Sequence, residues 1–295
     1  MIKDIDRIIW PEARHWAASW NQYLYLGFLK LGLRVERTES LCDKVPGISG
    51  ILAFDIIWKT GRHQRIWYDI SDFSKHCYEN AVKGNDLYFK IQLHKKDLHY
   101  DRIHPIGQIA TRADFHEMLP EFKAIREKKE FAYDVIGIFR ASNYRLRTNA
   151  VEIVKSQPWK SLVGMASFRN RPPIPKKIER NKLGYQEHLR LQCISKICLD
   201  FPGVGGEWSC RFTEILGMGC FCLRTEHTHA CPGEPQNCWG EVKRDLSDLR
   251  EKIDYYLAND NARNEIARNG MQYYEDFLSP VAQAEYLLDI AEESQ

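Results

Sequence analysis

Residues 199–224, LDFPGVGGEWSCRFTEILGMGCFCLR, combine residue types that can bind a phosphorylated ligand. An apolar strand leads into Gly203, Gly205 and Gly206, which lack a Cβ and therefore let the backbone turn sharply and approach a ligand closely. The pattern predicts a helix over residues 209–217. The unpaired N–H groups and the positive dipole end of that helix would attract an anion.

Two charged side chains lie on one face of this predicted helix. Arg211 adds a fixed positive charge in the first turn, and Glu214 follows one turn later. Together they suit a nucleoside diphosphate, with backbone N–H groups and Arg211 on the phosphates and Glu214 on the ribose hydroxyls. The alternative is an ordinary strand–turn–helix whose polar residues only cap the helix and face solvent.

The composition limits the classes of function. The chain has 295 residues, 44% hydrophobic and 28% charged, as in ordinary globular proteins, and its net charge of +2 disfavours general nucleic-acid binding. No run of about eighteen apolar residues predicts a membrane span, and the first residues, MIKDIDRIIW, lack the apolar core of a secretory signal. We therefore predict neither a nucleic-acid partner nor an integral membrane segment. The oligomeric state stays open.

The cysteines predict a cytoplasmic protein, because nine is an odd number in a chain too long to need disulfides. Cysteine and histidine bunch between Cys220 and Cys238, so a zinc site is an alternative, but no C-x-x-C pair frames the cluster. Cys220 and Cys222 alternate with apolar neighbours in a predicted strand, which favours core packing.

The first half of the chain reads as strand–helix units, and the pattern restarts at residue 133. Strands are predicted at 5–10, 33–36, 50–58, 65–70, 86–92, 133–139, 161–166 and 196–201. Helices are predicted at 13–31, 113–129, 146–156, 184–194, 245–257 and 262–277, with a last one from Pro280. Tyr185, Leu189 and Cys193 form one stripe of the 184–194 helix. The Pro-rich residues 168–182 are predicted as a loop.

This order predicts an α/β fold with two Rossmann-like domains that face each other across a cleft, each built on a parallel sheet. We predict a first domain at 1–127, a second domain at 128–278 and a separate helix at 279–295. Ligands of such sheets bind at the carboxyl ends of the strands. The polar residues expected there are Asp55, Asp69, Asp72, Arg140 and Ser142.

The second half resembles the nucleotide-sugar domain of a GT-B glycosyltransferase over residues 133–278. The likeness is carried by FRASNYRLR, KICLDFPG, EWSCRFTEILGMGC and DLSDLREKIDYYLANDNARNEIARNG, in that order. These segments are similar to the CAP10-like transferases (family 90), and the exostosin-like transferases (family 47) share the Ser-x-Arg-x-x-Glu and Gly-Cys elements. The first 130 residues match only the general GT-B order.

The resemblance implies that the domain at 128–278 binds a nucleotide sugar, that the domain at 1–127 lies on the acceptor side, and that the helix at 279–295 packs back on the first domain. It also implies a nucleoside diphosphate sugar donor, UDP-linked, and a glycan or other hydroxyl-bearing acceptor. Glu214 would hold the ribose, although family 90 is not reliably acidic at that position. The residues implied to hold the diphosphate are Arg140, Ser142, Arg147, Gly205, Gly206, Ser209 and Arg211. The alternative for Arg140 and Arg147 is a surface ion pair with Asp134 or Glu152.

Sugar transfer requires stabilisation of the negative charge that develops on the leaving diphosphate. A helix dipole and an arginine can supply it without a metal, and no Asp-x-Asp motif stands where a metal-dependent transferase would place one, so we expect no cofactor. An inverting reaction also needs a general base for the acceptor hydroxyl. Asp72 is the first candidate, followed by Asp69 and His15, although Asp72 could instead cap the helix that begins at Phe73.

These observations predict a metal-independent glycosyltransferase. Two other classes stay open: a non-catalytic module that binds a nucleotide sugar or a glycan, and another sugar-nucleotide enzyme such as an epimerase. The sequence does not reveal the sugar, the acceptor, the linkage or whether configuration is inverted or retained.

Overall fold

A computed structural model of the chain describes residues 4–12, 22–39, 50–71, 86–140, 144–166, 174–181, 183–203, 206–233 and 235–294. The chain divides into two compact units. The first comprises Met1–His116, Thr228–Glu234 and Glu275–Gln295, and the second comprises Glu117–His227 and Pro235–Tyr274. Each unit is built on its own six-stranded sheet.

The first sheet is mixed, with strand order β2-β1-β3-β4-β5-β6. Its strands are β1 (Ile5–Pro11), β2 (Val35–Thr38), β3 (Ile51–Trp58), β4 (His63–Asp69), β5 (Leu87–Lys90) and β6 (Ile103–Pro105). Only β3 runs antiparallel to its neighbours in this sheet, and the other adjacent pairs are parallel. A buried apolar cluster that includes Ile51, Trp67 and Ile103 packs on this sheet.

The orientation of β3 differs from the expected parallel arrangement, and the reason is local. Only residues 59–62 join β3 to β4, a connection too short for the crossover that parallel strands require. Gly61 takes a positive φ of 84° in this turn, so the chain folds back as a hairpin. Asp55 therefore lies within a strand, paired with Arg65 on β4, and the expectation that it stands at a carboxyl end is wrong.

Two helices of the first unit pack closely together. They are α1 (Gln22–Lys30) and the C-terminal helix, named α8 below (Pro280–Glu293). A Cβ on Gly27 would lie 2.0 Å from the carbonyl oxygen of Pro280, so only glycine permits this approach. The C-terminal helix thus belongs to the first unit although it follows the second in sequence.

The second sheet is entirely parallel, with strand order β12-β11-β10-β7-β8-β9. Its strands are β7 (Tyr133–Arg140), β8 (Ser161–Ala166), β9 (Glu179–Arg180), β10 (Ser195–Asp200), β11 (Cys222–Thr225) and β12 (Gly240–Val242). The short β9 lies within residues 168–182, which the sequence predicted as a loop. Arg180 pairs there with Ala166 of β8 and so adds a strand at the edge of the sheet. The predicted strands 133–139, 161–166 and 196–201 are confirmed to within one residue at either end.

Six helices of the described chain accompany this sheet or lead into it. They are α2 (Phe115–Glu127), α3 (Tyr144–Lys155), α4 (Tyr185–Cys193), α5 (Cys210–Gly217), α6 (Leu249–Ala258) and α7 (Asp260–Tyr273). Apolar residues of α3, α6 and α7 join those of the central strands in one buried core. No helix in the described part of the chain is long and apolar enough to span a membrane.

Most of α2 falls in the second unit, whereas the sequence prediction assigned residues up to 127 to the first. The buried guanidinium of Arg126 explains this placement. It donates hydrogen bonds to the carbonyl oxygens of Cys193 and Ser195, at 3.2 and 2.6 Å, and so ties α2 to the end of α4.

Candidate functional site

The candidate site lies at the carboxyl edge of the second sheet, where the neighbouring parallel strands β7 and β10 end at Arg140 and Asp200. Ser209 follows Asp200 by nine residues and is the N-cap of α5. Parallel strands end at the same edge of a sheet. The polar residues predicted to follow β7 and β10 are therefore expected close together at that edge.

Asp200 and Ser209 determine how α5 begins. The Asp200 carboxylate is fully buried, and its Oδ1 accepts the Ser209 hydroxyl at 2.6 Å. Ser209 Oγ in turn accepts the backbone N–H of Phe212 at 3.2 Å and so caps the helix. The helix N-terminus is thereby held in place against the strand end, with its dipole directed toward this edge.

Two guanidinium groups converge beside this helix start. Arg211 Nη1 lies 3.4 Å from Asp200 Oδ1. The Cζ atoms of Arg211 and Arg147 lie 5.2 and 5.4 Å from the centre of the Phe139 ring. Burial, followed by the charge of Arg211, lowers the pKa of Arg147 to about 9. Two cations and one helix N-terminus at a single edge can bind a diphosphate.

Arg147 also ties the two strand ends together. Its Nη1 donates to the Arg140 carbonyl at 3.0 Å, its Nη2 donates to the Phe201 carbonyl at 2.7 Å, and the residue is only 4% exposed. The alternative prediction, a surface ion pair of Arg147 with Asp134 or Glu152, is therefore wrong. Asp134 pairs with Lys196 and Glu152 with Lys177 instead.

The remaining predicted phosphate ligands divide into two groups. Arg140 is exposed at the end of β7, and Gly206 is buried just before α5. Ser142 and Gly205 lie outside the described residues. Binding of phosphate by all four remains a prediction.

Glu214 is buried, at 2% exposure, so the alternative of a solvated helix face is wrong. Its Oε1 accepts the hydroxyl of Tyr185, on α4, at 2.8 Å. Sequence reasoning missed Tyr185 as a site residue because its spacing with Leu189 and Cys193 indicated only an apolar stripe. The hydroxyl of Tyr185 could have indicated this contact, because a half-buried tyrosine O–H usually has a hydrogen-bond partner.

His188 lies one turn after Tyr185 and gives a testable pH dependence. Burial, followed by the charge of Arg211, lowers the pKa of His188 from 6.5 to about 3. Between these pH values the unfolded chain binds a proton that the native protein does not, so His188 makes stability rise with pH in this window. When the pH falls from 7 to about 4.5, we expect the melting temperature of His188→Gln to decrease less than that of the parent protein.

This expectation is checked by thermal unfolding at a series of pH values. His99→Gln, on an exposed turn, serves as the matched control and should follow the parent protein. A His188→Gln profile that parallels the parent protein throughout would show that His188 carries no such penalty.

In the first unit, Asp69 is the centre of a buried polar network. Asp69 Oδ2 accepts both the Tyr88 hydroxyl and Lys90 Nζ at 2.5 Å, and Oδ1 accepts the Ser71 N–H at 2.8 Å. Lys90 and Asp69 are both fully buried. Asp72 and His15 lie outside the described residues. The role of all three candidates as general base remains a prediction.

The cysteine and histidine run disperses in the structure. Cys220 and Cys222 are buried in the second unit, where burial raises the pKa of the Cys222 thiol. His227 Nδ1 lies 3.3 Å from Glu241 Oε1, and this pairing holds the pKa of Glu241 at about 2. His229 instead lies in the first unit. Among the described residues no group of three His, Cys, Asp or Glu side chains is placed to hold a metal.

A family model described as glycosyl transferase-like matches residues 122–289. This range contains the ends of β7 and β10, the arginines Arg147 and Arg211, and Glu214. No curated protein matches the sequence.

Solved structures share the fold. A glycosyltransferase from Rickettsia africae ESF-5 is 14% identical, with a TM-score of 0.50 over 71% of this chain and 64% of that one. Anabaena Alr3699/HepE in complex with UDP is 10% identical, with a TM-score of 0.52 over 70% of this chain and 64% of that one. The match thus covers less than two thirds of either relative. At these identities the likeness shows the fold, and it confirms the predicted α/β class of the GT-B transferases.

Proposed function

This chain belongs to the glycosyl transferase-like family, and we propose that it transfers a sugar from a UDP-linked donor to a hydroxyl of a glycan or other acceptor. The observation that carries the proposal is the convergence of Arg147 and Arg211 on Phe139, beside the capped N-terminus of α5. Two fixed cations and a helix N-terminus match the charge of a diphosphate. The UDP complex of HepE, which shares the fold, supports this choice of nucleotide.

Arg211 is the group best placed to stabilise the leaving diphosphate. As the bond from the sugar to the β-phosphate breaks, negative charge grows on the phosphate oxygens. A guanidinium already oriented by Asp200 interacts more strongly with that charge than with the intact donor, and it needs no reorganisation at the moment of reaction. The α5 dipole acts in the same direction.

We propose that the reaction proceeds without a metal, because the arginines and the helix N-terminus supply the positive charge that a cation would otherwise provide. Donor binding should then persist in the presence of EDTA. The free cysteines of the described residues suit the reducing cytoplasm, which is the location we propose.

Asp72 is our proposed general base for the acceptor hydroxyl. The support comes from the residue before it. Ser71 donates its N–H to Asp69 Oδ1, and its Oγ lies 3.2 Å from Lys90 Nζ, so the chain that leads into Asp72 is anchored to the buried network. On this proposal Asp69 and Lys90 position that segment and do not themselves accept the proton.

We also propose that the chain is related to the CAP10-like and exostosin-like transferases. The support is the Ser-x-Arg turn, which forms a cap and an ion pair on one strand end through Ser209, Arg211 and Asp200. A relative of either group with the same arrangement in its solved structure would strengthen the assignment, and one with Ser and Arg on separate edges would oppose it.

A thermal-shift screen with UDP, GDP, CMP, ADP and their sugar conjugates, with and without EDTA, tests the proposal. A ligand that binds the native state raises its apparent stability with the logarithm of ligand concentration over Kd. We expect stabilisation by UDP and a UDP-sugar that EDTA does not remove. No shift with any nucleotide would reject the donor site. Epimerised donor formed without acceptor would favour an epimerase, and binding without turnover would favour a non-catalytic module.

A further inference from the structure

Helices α4 and α5 are joined by a side-chain hydrogen bond from Tyr185 to Glu214. On α4, Tyr185 and His188 are three residues apart, and on α5 so are Arg211 and Glu214, so each pair lies on one face of its helix. Tyr185 donates its hydroxyl to Glu214 at 2.8 Å, and His188 lies near enough to Arg211 for that charge to lower its pKa. Helix α4 therefore bonds to Glu214 through Tyr185, and its His188 lies within the electrostatic influence of Arg211.

The Tyr185 contact restricts the Glu214 carboxylate. A glutamate side chain has three rotatable bonds, and fixing them costs free energy when it binds a ligand. In this protein the Glu214 side chain is buried and its Oε1 accepts the Tyr185 hydroxyl, so contacts within the protein restrict those bonds. A carboxylate has about four lone-pair sites on its two oxygens, so a bond from Tyr185 is compatible with further bonds from a ligand hydroxyl.

We propose that Tyr185 is a positioning residue that orients Glu214 to accept the ribose hydroxyls of the donor, and that this pair makes the site select ribonucleotides over deoxyribonucleotides. The inference rests on the proposed function, since it places a nucleotide at the N-terminus of α5. A buried carboxylate that has lost its hydroxyl partner retains its desolvation cost, so a nucleotide without that hydroxyl binds less tightly.

The test compares Kd values for UDP, 2′-deoxy-UDP and 3′-deoxy-UDP, measured by isothermal titration calorimetry. In the parent protein we expect UDP to bind about 10- to 100-fold more tightly than at least one deoxy analogue. In Tyr185→Phe we expect this ratio to fall to about threefold or less, with most of the change in the affinity for UDP. Glu214→Gln should reduce the ratio similarly. Tyr255→Phe, which removes a hydroxyl from an exposed tyrosine, should leave it unchanged.

The possible failures are distinguishable. If Tyr185→Phe retains the parent ratio, or weakens all three nucleotides equally, Tyr185 has only a structural role and the inference is rejected. A Glu214→Gln variant that retains the ratio also rejects it, while UDP binding still supports the proposed function. If the parent protein does not bind UDP at all, the donor proposal itself fails and the inference fails with it.

Discussion

Arg211→Ala is expected to weaken UDP binding by roughly 30- to 150-fold. A hydrogen-bonded charge contributes about 2–3 kcal/mol to such a contact, and about 1.4 kcal/mol corresponds to a factor of ten. The Arg211 side chain is 15% exposed and lies 3.4 Å from Asp200, so its guanidinium is partly desolvated and oriented by the protein. Arg211→Lys retains the charge but loses the planar fork, and its loss of affinity should be intermediate.

Isothermal titration calorimetry with UDP gives the affinities, and melting of the ligand-free variants shows whether they remain folded. The melting data matter because removal of Arg211 takes one partner from the buried Asp200. Arg250→Ala is the control, since Arg250 is 68% exposed on α6 and its Nε lies 3.8 Å from Asp254. A folded Arg211→Ala protein that binds UDP as tightly as the Arg250→Ala protein would refute the assigned donor site.

Lys90→Met is expected to lower the free energy of unfolding by about 3–5 kcal/mol, because it leaves the Asp69 carboxylate buried without its cation. The double substitution Asp69→Asn with Lys90→Met should recover part of this loss, since an amide needs no counter-charge. Urea unfolding measures both values. Lys177→Met breaks an ion pair whose lysine is 70% exposed, so it should cost less than about 1 kcal/mol.

The same double variant separates two roles for Asp69. If the network only positions the segment before Asp72, the folded double variant keeps measurable sugar transfer, and Asp72→Ala abolishes it. If the double variant is stable but inactive, while Asp72→Ala retains activity, then Asp69 is the base. A Lys90→Met protein as stable as Lys177→Met would contradict the buried ion pair.

Much of the secondary structure of the second unit is determined by residues that are close together in the sequence. Ser209 caps α5 through the N–H of Phe212, three residues ahead, and such a contact depends only on the chain nearby. Strands β7, β8 and β10 alternate with helices, which supply the long crossover connections that parallel strands require. Gly61 is also a local signal, since glycine favours a tight turn. The strand–helix order elsewhere in the chain nevertheless predicted parallel strands in place of the hairpin.

Other features depend on residues that are distant in sequence. Tyr185 meets Glu214 across 29 positions, and Lys90 meets Asp69 across 21. Neither pairing has a spacing signature, because which side chains meet is decided by how helices pack and which strands become neighbours. The cysteine–histidine run shows the converse, since residues close in sequence separate when Cys222 enters one sheet and His229 joins the other unit.

The sequence by itself determined the α/β class, the capped turn with its phosphate-binding residue types, and the likeness to glycosyltransferases. The class and the turn arise from backbone hydrogen bonding and side-chain periodicity within about ten residues, whereas the likeness is carried by the order of motifs such as EWSCRFTEILGMGC along the chain. Only the tertiary structure decided that Arg147 and Arg211 converge on Phe139, that Glu214 is buried against Tyr185, and that Asp69 is bound in an ion pair. Burial and charge pairing are properties of the packed chain, because they depend on surfaces that exist only after the strands and helices have assembled.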